Sequence, residues 1–471
     1  MSNKSISLLS FGIFSLVLYV IGFPFKSVLL SSLLVWTWIA NGMYVTYLLY
    51  KNKNILLSIF LLLNIIVQIY FLFNYFYFDE IFPLGPYDFS AYKIDNIQVA
   101  TNVLFLVFSI MMFVWSFYSK IIFMSNKTKI KLKFSQILTS IRRNSQRKLI
   151  YGLFAVSLIG LVIFLLTATI YQAPYPYNKK LGIISFPDSL RPLLVLPYLF
   201  AYMVTKIKKN FRNTVGVIGY KILFFMALYF ILLLIGPRGA ATGLVILIMF
   251  FDLFTDRQIV TKLFNLSIAL FILYVMIFLW PTMRFDIFSI GFFDAFFQAW
   301  KRQSALSSSF FSVQFSLIPM IPQTMFHFLY VVELVNRGIE LHYQTFIHLI
   351  HQQMPAFFEP IFGARPLNDN WLLMKYYFHG GGFYIFANAY WNGGIIPMVL
   401  FTSVVVWLLV IIEKFFKNIK EPMYFLAYPV FVFLIPVNTL YGIQPFIRGL
   451  EFGVVALFII YIYRKVRIKR K

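Results

Sequence analysis

All five histidines, His327, His342, His348, His351 and His379, fall between Pro281 and Gly382. The same stretch carries Arg284, Arg302, Arg337, Arg365, Glu333, Glu340, Glu359 and Asp369, and an apolar run stands on either side of it. His379 precedes Gly380, Gly381 and Gly382. An imidazole on such a hinge suits a general base working near neutral pH, although a lone loop histidine also serves as a solvated or structural residue. Glu359 and Asp369 bracket Arg365 and offer two other bases, or two salt-bridge partners. Glu333 and Glu340 read as surface helix residues. His348 and His351 are three apart and share a helix face, as metal ligands do. No third ligand stands at a fitting spacing and no His-Glu-x-x-His pattern occurs, so the polar-face reading is preferred and no metal or other cofactor is expected.

A second set of residues offers anion chemistry. Pro237-Arg238-Gly239 lies between two apolar runs with hardly any loop. An arginine there is costly unless it meets an anion, a carboxylate or water. Its planar fork fits phosphate oxygens; a snorkelling interfacial arginine is the plainer reading. Arg448, Arg284 and Arg365 carry the same two readings, with Glu451 and Asp286 as local partners for the first two. Arg191 reads more simply as an interfacial anchor. Gathered at one face, Arg238, Arg284, Arg365 and Arg448 would neutralise a pyrophosphate. Asn388, Tyr390, Trp391 and Asn392 stand beside Gly393 and Gly394. Amides and aromatic faces at a glycine break are what a sugar site uses, and they equally suit helix packing and an interfacial aromatic belt.

The elements that must position these groups are membrane spans. The chain has 471 residues, 61% hydrophobic, 20% aromatic and 12% charged, too little polar surface to cover a soluble core. Its apolar runs are roughly 18 to 25 residues long, enough to cross a hydrocarbon layer. About twelve are expected, roughly 6–23, 27–50, 55–78, 98–118, 149–171, 191–205, 218–236, 240–255, 263–281, 382–412, 422–440 and 450–463. The first has a signal peptide's charge pattern but an apolar run too long for one, and reads as a span. The expected fold is all-α, a polytopic bundle forming a single integral membrane domain over 1–471. Its large external loop, 282–381, is read as a lid carrying the active site; Phe292–Trp300 and Phe310–Phe315 are expected to be interfacial or re-entrant helices within it.

Alternate loops are basic. With Lys4, Lys221 and the tail from Arg464, they hold 28 of the 41 lysines and arginines. The positive-inside rule puts them, and both termini, in the cytoplasm. The net charge of +25 then faces anionic lipid head groups, and nucleic acid is not needed as a partner. There is no cysteine, so disulfides and thiolate metal sites are excluded.

Three stretches give the layout a likeness: Gly236-Pro237-Arg238-Gly239, the run His379 to Pro397 containing Asn388-Ala389-Tyr390-Trp391-Asn392-Gly393-Gly394, and Arg448-Gly449 before the last span. The chain resembles the Wzy-type polymerases of O-antigen and other bacterial oligosaccharide repeat units. Many members have glutamate where Asn388 stands. The resemblance implies a membrane-embedded, C-type glycosyltransferase fold in a bacterial inner membrane, and a metal-independent, inverting reaction in polysaccharide or lipopolysaccharide biosynthesis. The donor would be a glycan on undecaprenyl pyrophosphate, and the acceptor a hydroxyl of a second lipid-linked unit. A chain-length regulator protein is a candidate partner. Arg238, Arg284, Arg365 and Arg448 would hold the leaving pyrophosphate; His379, Glu359 or Asp369 would take the acceptor proton; Asn388, Tyr390, Trp391 and Asn392 would bind sugar. The related O-antigen ligases, with a histidine before a similar glycine and asparagine run, are an alternative. A transporter or flippase of lipid-linked oligosaccharide is an alternative of another class. Repeats, helices broken at mid-membrane and charges within spans would mark it, and the sequence shows no repeat.

Overall fold

The computed structural model describes residues 3–23, 27–52, 54–77, 94–123, 169–171, 178–180, 290–306, 320–348, 383–418 and 427–469, with a few single residues between them. The spans expected between 149 and 281 lie outside the described residues except for residues 169–171, which end the expected span 149–171 as strand and not as helix, and the single residues 267 and 279; Phe310–Phe315 lie outside as well. The chain divides into two compact units, 1–130 with 318–471, and 131–317.

The first unit is a helix bundle. Helices α1 (Asn3–Ile21), α2 (Val28–Lys51), α3 (Ile55–Tyr77) and α4 (Ile94–Phe117) are followed by the single turn α5 (Ser119–Ile122). Within the first, second and fourth of these, and within α10 (Ile395–Asn418), runs long and apolar enough to cross a membrane are present. Their exposed faces are apolar as well. On α10 the exposed stripe is Ile396, Leu400, Val404, Trp407, Ile411 and Phe415, which recur every three or four residues. Such a stripe suits lipid rather than water, and marks a membrane protein.

Small residues let the helices approach. A Cβ on Gly12 of α1 would meet the Met112 Cβ of α4 at 2.8 Å, so only glycine permits that crossing. Trp38 of α2 donates its indole N–H to Ser15 at 3.0 Å. Its ring also lies 5.6 Å from Phe11 and 4.8 Å from Phe108, locking three helices around one aromatic core.

The first unit continues with α7 (Met320–Asn336), α8 (Gln344–Ile347), α9 (Ile385–Trp391), α10, α11 (Tyr428–Asn438) and α12 (Ile443–Lys469). The described lysines of this unit sort to one end. Lys4 donates to Asn52 at 2.8 Å, joining the start of α1 to the end of α2. Lys417 donates to Asn54 and to the Ile122 carbonyl, the latter at 2.7 Å, so the ends of α5 and α10 meet the start of α3 there. We call this the basic end. Glu413, one turn earlier on α10, accepts the Tyr428 hydroxyl at 2.9 Å and is buried with Lys417.

Two helices stop part-way. α11 starts at the basic end and has 11 residues, a climb of about 16 Å, roughly half of a hydrocarbon layer. α9 has seven residues. It starts beside the top of α11, where the Ile385 N–H donates to the Thr439 carbonyl at 2.9 Å. The expected span 382–412 is therefore α9, a turn at Asn392–Gly394 where both glycines hold positive φ, and α10. Hydropathy merges the two because every residue of α9 is buried and the turn carries no charge.

Within the stretch that hydropathy assigns to the external loop, Met320–Asn336 forms α7, which packs on α3, α4 and α9. Its 17 residues fall short of a full span, and Gln323, His327 and Glu333 interrupt its apolar run.

In the second unit, strands β1 (Thr169–Tyr171) and β2 (Asn178–Lys180) pair antiparallel with Ile170 opposite Lys179. Apart from this short ribbon, the described elements are helices, as expected for an all-α chain. Helix α6 (Phe292–Leu306) buries Ala295 and Ala299 with Leu279 and Met283, and exposes Phe293, Phe297 and Trp300. Asp294 and Gln298 are exposed beside these aromatics, so the outer face of the helix is mixed polar and aromatic.

Candidate functional site

The end of the first unit opposite the lysines carries a strained loop. α7 ends at Asn336, whose side chain donates to Asn96 of α4 at 3.2 Å. The loop then runs through Arg337, Gly338 and Glu340 to His342 and Tyr343, which hold φ at 46° and 65°. Left-handed backbone costs on the order of 1–2 kcal/mol for a residue with a Cβ, and persists only where surroundings enforce it. Here they do. Leu341 N–H donates to the Trp391 carbonyl at 2.9 Å, and Tyr343 N–H to the Asn392 carbonyl at 3.1 Å. Thr345 N–H donates to the Asn392 side-chain oxygen at 3.1 Å, and the Trp391 indole donates to the Ile339 carbonyl at 3.0 Å. The loop is thus stapled to the α9–α10 turn. His342 Nδ1 lies 4.0 Å from Glu340 Oε2, and Arg337 pairs with Glu333 one turn back.

Of the four expected sugar contacts, Trp391 and Asn392 staple the loop, and Asn388 ties α9 to α12. Asn388, Tyr390, Trp391 and Asn392 are all buried. Asn388 accepts the Ile443 N–H at the start of α12 at 3.1 Å, and Asn392 donates to the Asn388 carbonyl at 2.8 Å. A Cβ on Gly442 would stand 3.2 Å from the Phe383 carbonyl, so the turn into α12 packs tightly against the start of α9. Of the expected pyrophosphate contacts, Arg448 is described. It lies on the second turn of α12, half-buried and within electrostatic reach of Glu451. Arg238, Arg284 and Arg365, and the candidate bases His379, Glu359 and Asp369, lie outside the described residues. His351 faces the Gly363 carbonyl at 3.3 Å.

Below the loop is a buried polar layer. Tyr384 donates its hydroxyl to Asn64, nine residues or about 14 Å up α3 from the basic end. Gln68 lies one turn further along α3; it is fully buried, and neither atom of its amide has a hydrogen-bond partner among the described residues. The Thr101 hydroxyl of α4 is in the same position. His327 of α7 is fully buried, its ring edge-on to Phe383 at 6.4 Å, and its neighbour Phe328 lies 6.3 Å from Tyr384. The Asn64–Gln68 spacing was a visible signal: two amides four apart in an apolar helix share a face. The left-handed loop had only a weak one: histidine is among the side chains enriched in such backbone, but Tyr343 is not.

Compared with protein-family models, with curated proteins and with solved structures, the chain matches none. Its function rests on its own residues.

Proposed function

We propose that the chain is a membrane-embedded glycosyltransferase that joins oligosaccharide repeat units carried on undecaprenyl pyrophosphate, a polymerase of the O-antigen type. One observation carries the proposal: four of the described ionisable groups of the polar stretch, Glu333, Arg337, Glu340 and His342, lie on or beside a hydrogen-bonded loop at the end opposite the described lysines of the first unit. A basic end facing the cytoplasm and a built, polar outer rim are what transfer between lipid-linked sugars requires. In that reaction the acceptor hydroxyl attacks the anomeric carbon, its proton passes to a base, and the bond to pyrophosphate breaks with the electron pair leaving on phosphate. Arg238, Arg284, Arg365 and Arg448 are the proposed pyrophosphate contacts, and His379, Glu359 and Asp369 the proposed bases.

The test is direct. Purified protein in nanodiscs, given an authentic lipid-linked repeat unit, should yield a ladder of polymers. A ligase would instead need a lipid A acceptor and leave polymer length unchanged.

A transporter of lipid-linked oligosaccharide is the second reading. It is favoured by the half-length helices α9 and α11 meeting at mid-height and by the buried His327, features typical of transport sites. Movement of the lipid-linked unit across proteoliposomes, without any ladder, would select it.

A further inference from the structure

Among the described residues only His342 and Tyr343 are non-glycine residues with positive φ, and they are consecutive. The enforced backbone does not bury its own side chains, although Leu341 and Thr345 on either side are buried. Tyr343 is 49% exposed, and the His342 side chain is 75% exposed. The Tyr343 backbone N–H is held by the Asn392 carbonyl, and the Tyr343 ring passes so close to Gly393 that its Cζ lies 3.4 Å from where a Cβ there would stand. A tyrosine of a membrane aromatic belt needs no such strain. What strain of this kind secures is one orientation of a side chain that works on something else.

The neighbours indicate what that is. The same loop carries an imidazole and a carboxylate, His342 and Glu340, 4.0 Å apart. A ring face offers an apolar, polarisable surface, and the two planar polar groups offer acceptors and a donor. A pyranose presents the matching pair, a C–H face and a rim of hydroxyls. We infer that Tyr343 is the stacking platform of a sugar subsite, with Glu340 and His342 hydrogen-bonding its hydroxyls. The inference rests on the glycan-joining proposal, in which this subsite takes the acceptor sugar.

The experiment uses the full chain in nanodiscs with methyl glycosides of the common hexoses and N-acetylhexosamines as probes. Binding is read by saturation-transfer NMR and stability by Tm. The variants are Tyr343→Gly and Tyr343→Asn, residues that accept left-handed backbone, and Tyr343→Phe, which keeps a ring. The expected result is that at least one glycoside binds the natural protein and Tyr343→Phe alike. It binds Tyr343→Gly and Tyr343→Asn about tenfold more weakly, with Tm held or raised. Equal binding by all four proteins, or no binding to the natural one, overturns the inference, as does a fall in Tm for both Tyr343→Gly and Tyr343→Asn. The two proposals separate: a polymer ladder unchanged by Tyr343→Gly sinks the platform alone. Ring-dependent glycoside binding without any ladder sinks the polymerase alone.

Discussion

The side-chain oxygen of Asn388 accepts the backbone N–H of Ile443 at 3.1 Å, tying the middle of α9 to the first residue of α12. That N–H is one of the donors a helix start leaves unsatisfied, and Ile443 is fully buried. Replacing Asn388 by leucine orphans it, at a cost of about 1–3 kcal/mol. Asn388→Asp keeps the acceptor and should retain most of the Tm in detergent. If Asn388→Leu unfolds no earlier than the natural protein, Asn388 is not a staple, and its amide is open to a sugar.

At the basic end, Glu413 and Lys417 are both buried, four residues apart on α10. Between them they engage Tyr428, Asn54 and the Ile122 carbonyl. Removing one partner leaves an uncompensated buried charge. Lys417→Met should therefore destabilise by about 3–5 kcal/mol, and combining it with Glu413→Met should return a large part of that loss. Thermal unfolding of the two single variants and the double variant measures the coupling. Strict additivity would show that the two side chains do not act together.

Gln68 gives the opposite sign. A buried amide whose two polar atoms find no partner among the described residues is held at a cost, and leucine has nearly its shape. Gln68→Leu should match or exceed the natural Tm. If Gln68 serves substrate, its rate in the polymer assay falls at the same time, the trade expected of a functional polar group in an apolar site. A lower Tm with full activity would make Gln68 an ordinary helix contact.

The membrane character, the apolar helices and the sorting of lysines to one end were legible because each follows from composition and 3.6-residue spacing. α7 was not. A 17-residue helix interrupted by Gln323, His327 and Glu333 is too short and too broken for hydropathy to mark as a span, and its packing against α3, α4 and α9 is what makes it a buried element. The break at Asn392–Gly394 was half legible: the glycine pair announced a turn, but the apolar residues on both sides hid that it separates two helices. For the site, the Asn388–Asn392 run stood out in sequence with two readings, sugar binding and helix packing. Its partners lie at residues 345 and 443, far enough along the chain that local spacing could not name them. Glu413 and Lys417 show the converse, since Lys417 counts toward the basic loops in sequence yet is buried in the fold.

Sidedness is the property on which the proposed chemistry depends most, and the chain is suited to testing it because it contains no cysteine. Single cysteines can therefore be introduced without background. Lys120 and Gln344 are both exposed, one at the basic end and one just past the strained loop. In whole cells, a membrane-impermeant maleimide should label Gln344→Cys and spare Lys120→Cys until the membrane is opened. Reversal of that pattern would place the loop in the cytoplasm, away from any sugar unit exposed on the outer leaflet. The glycan-joining proposal would then fail even though every hydrogen bond described above remained in place.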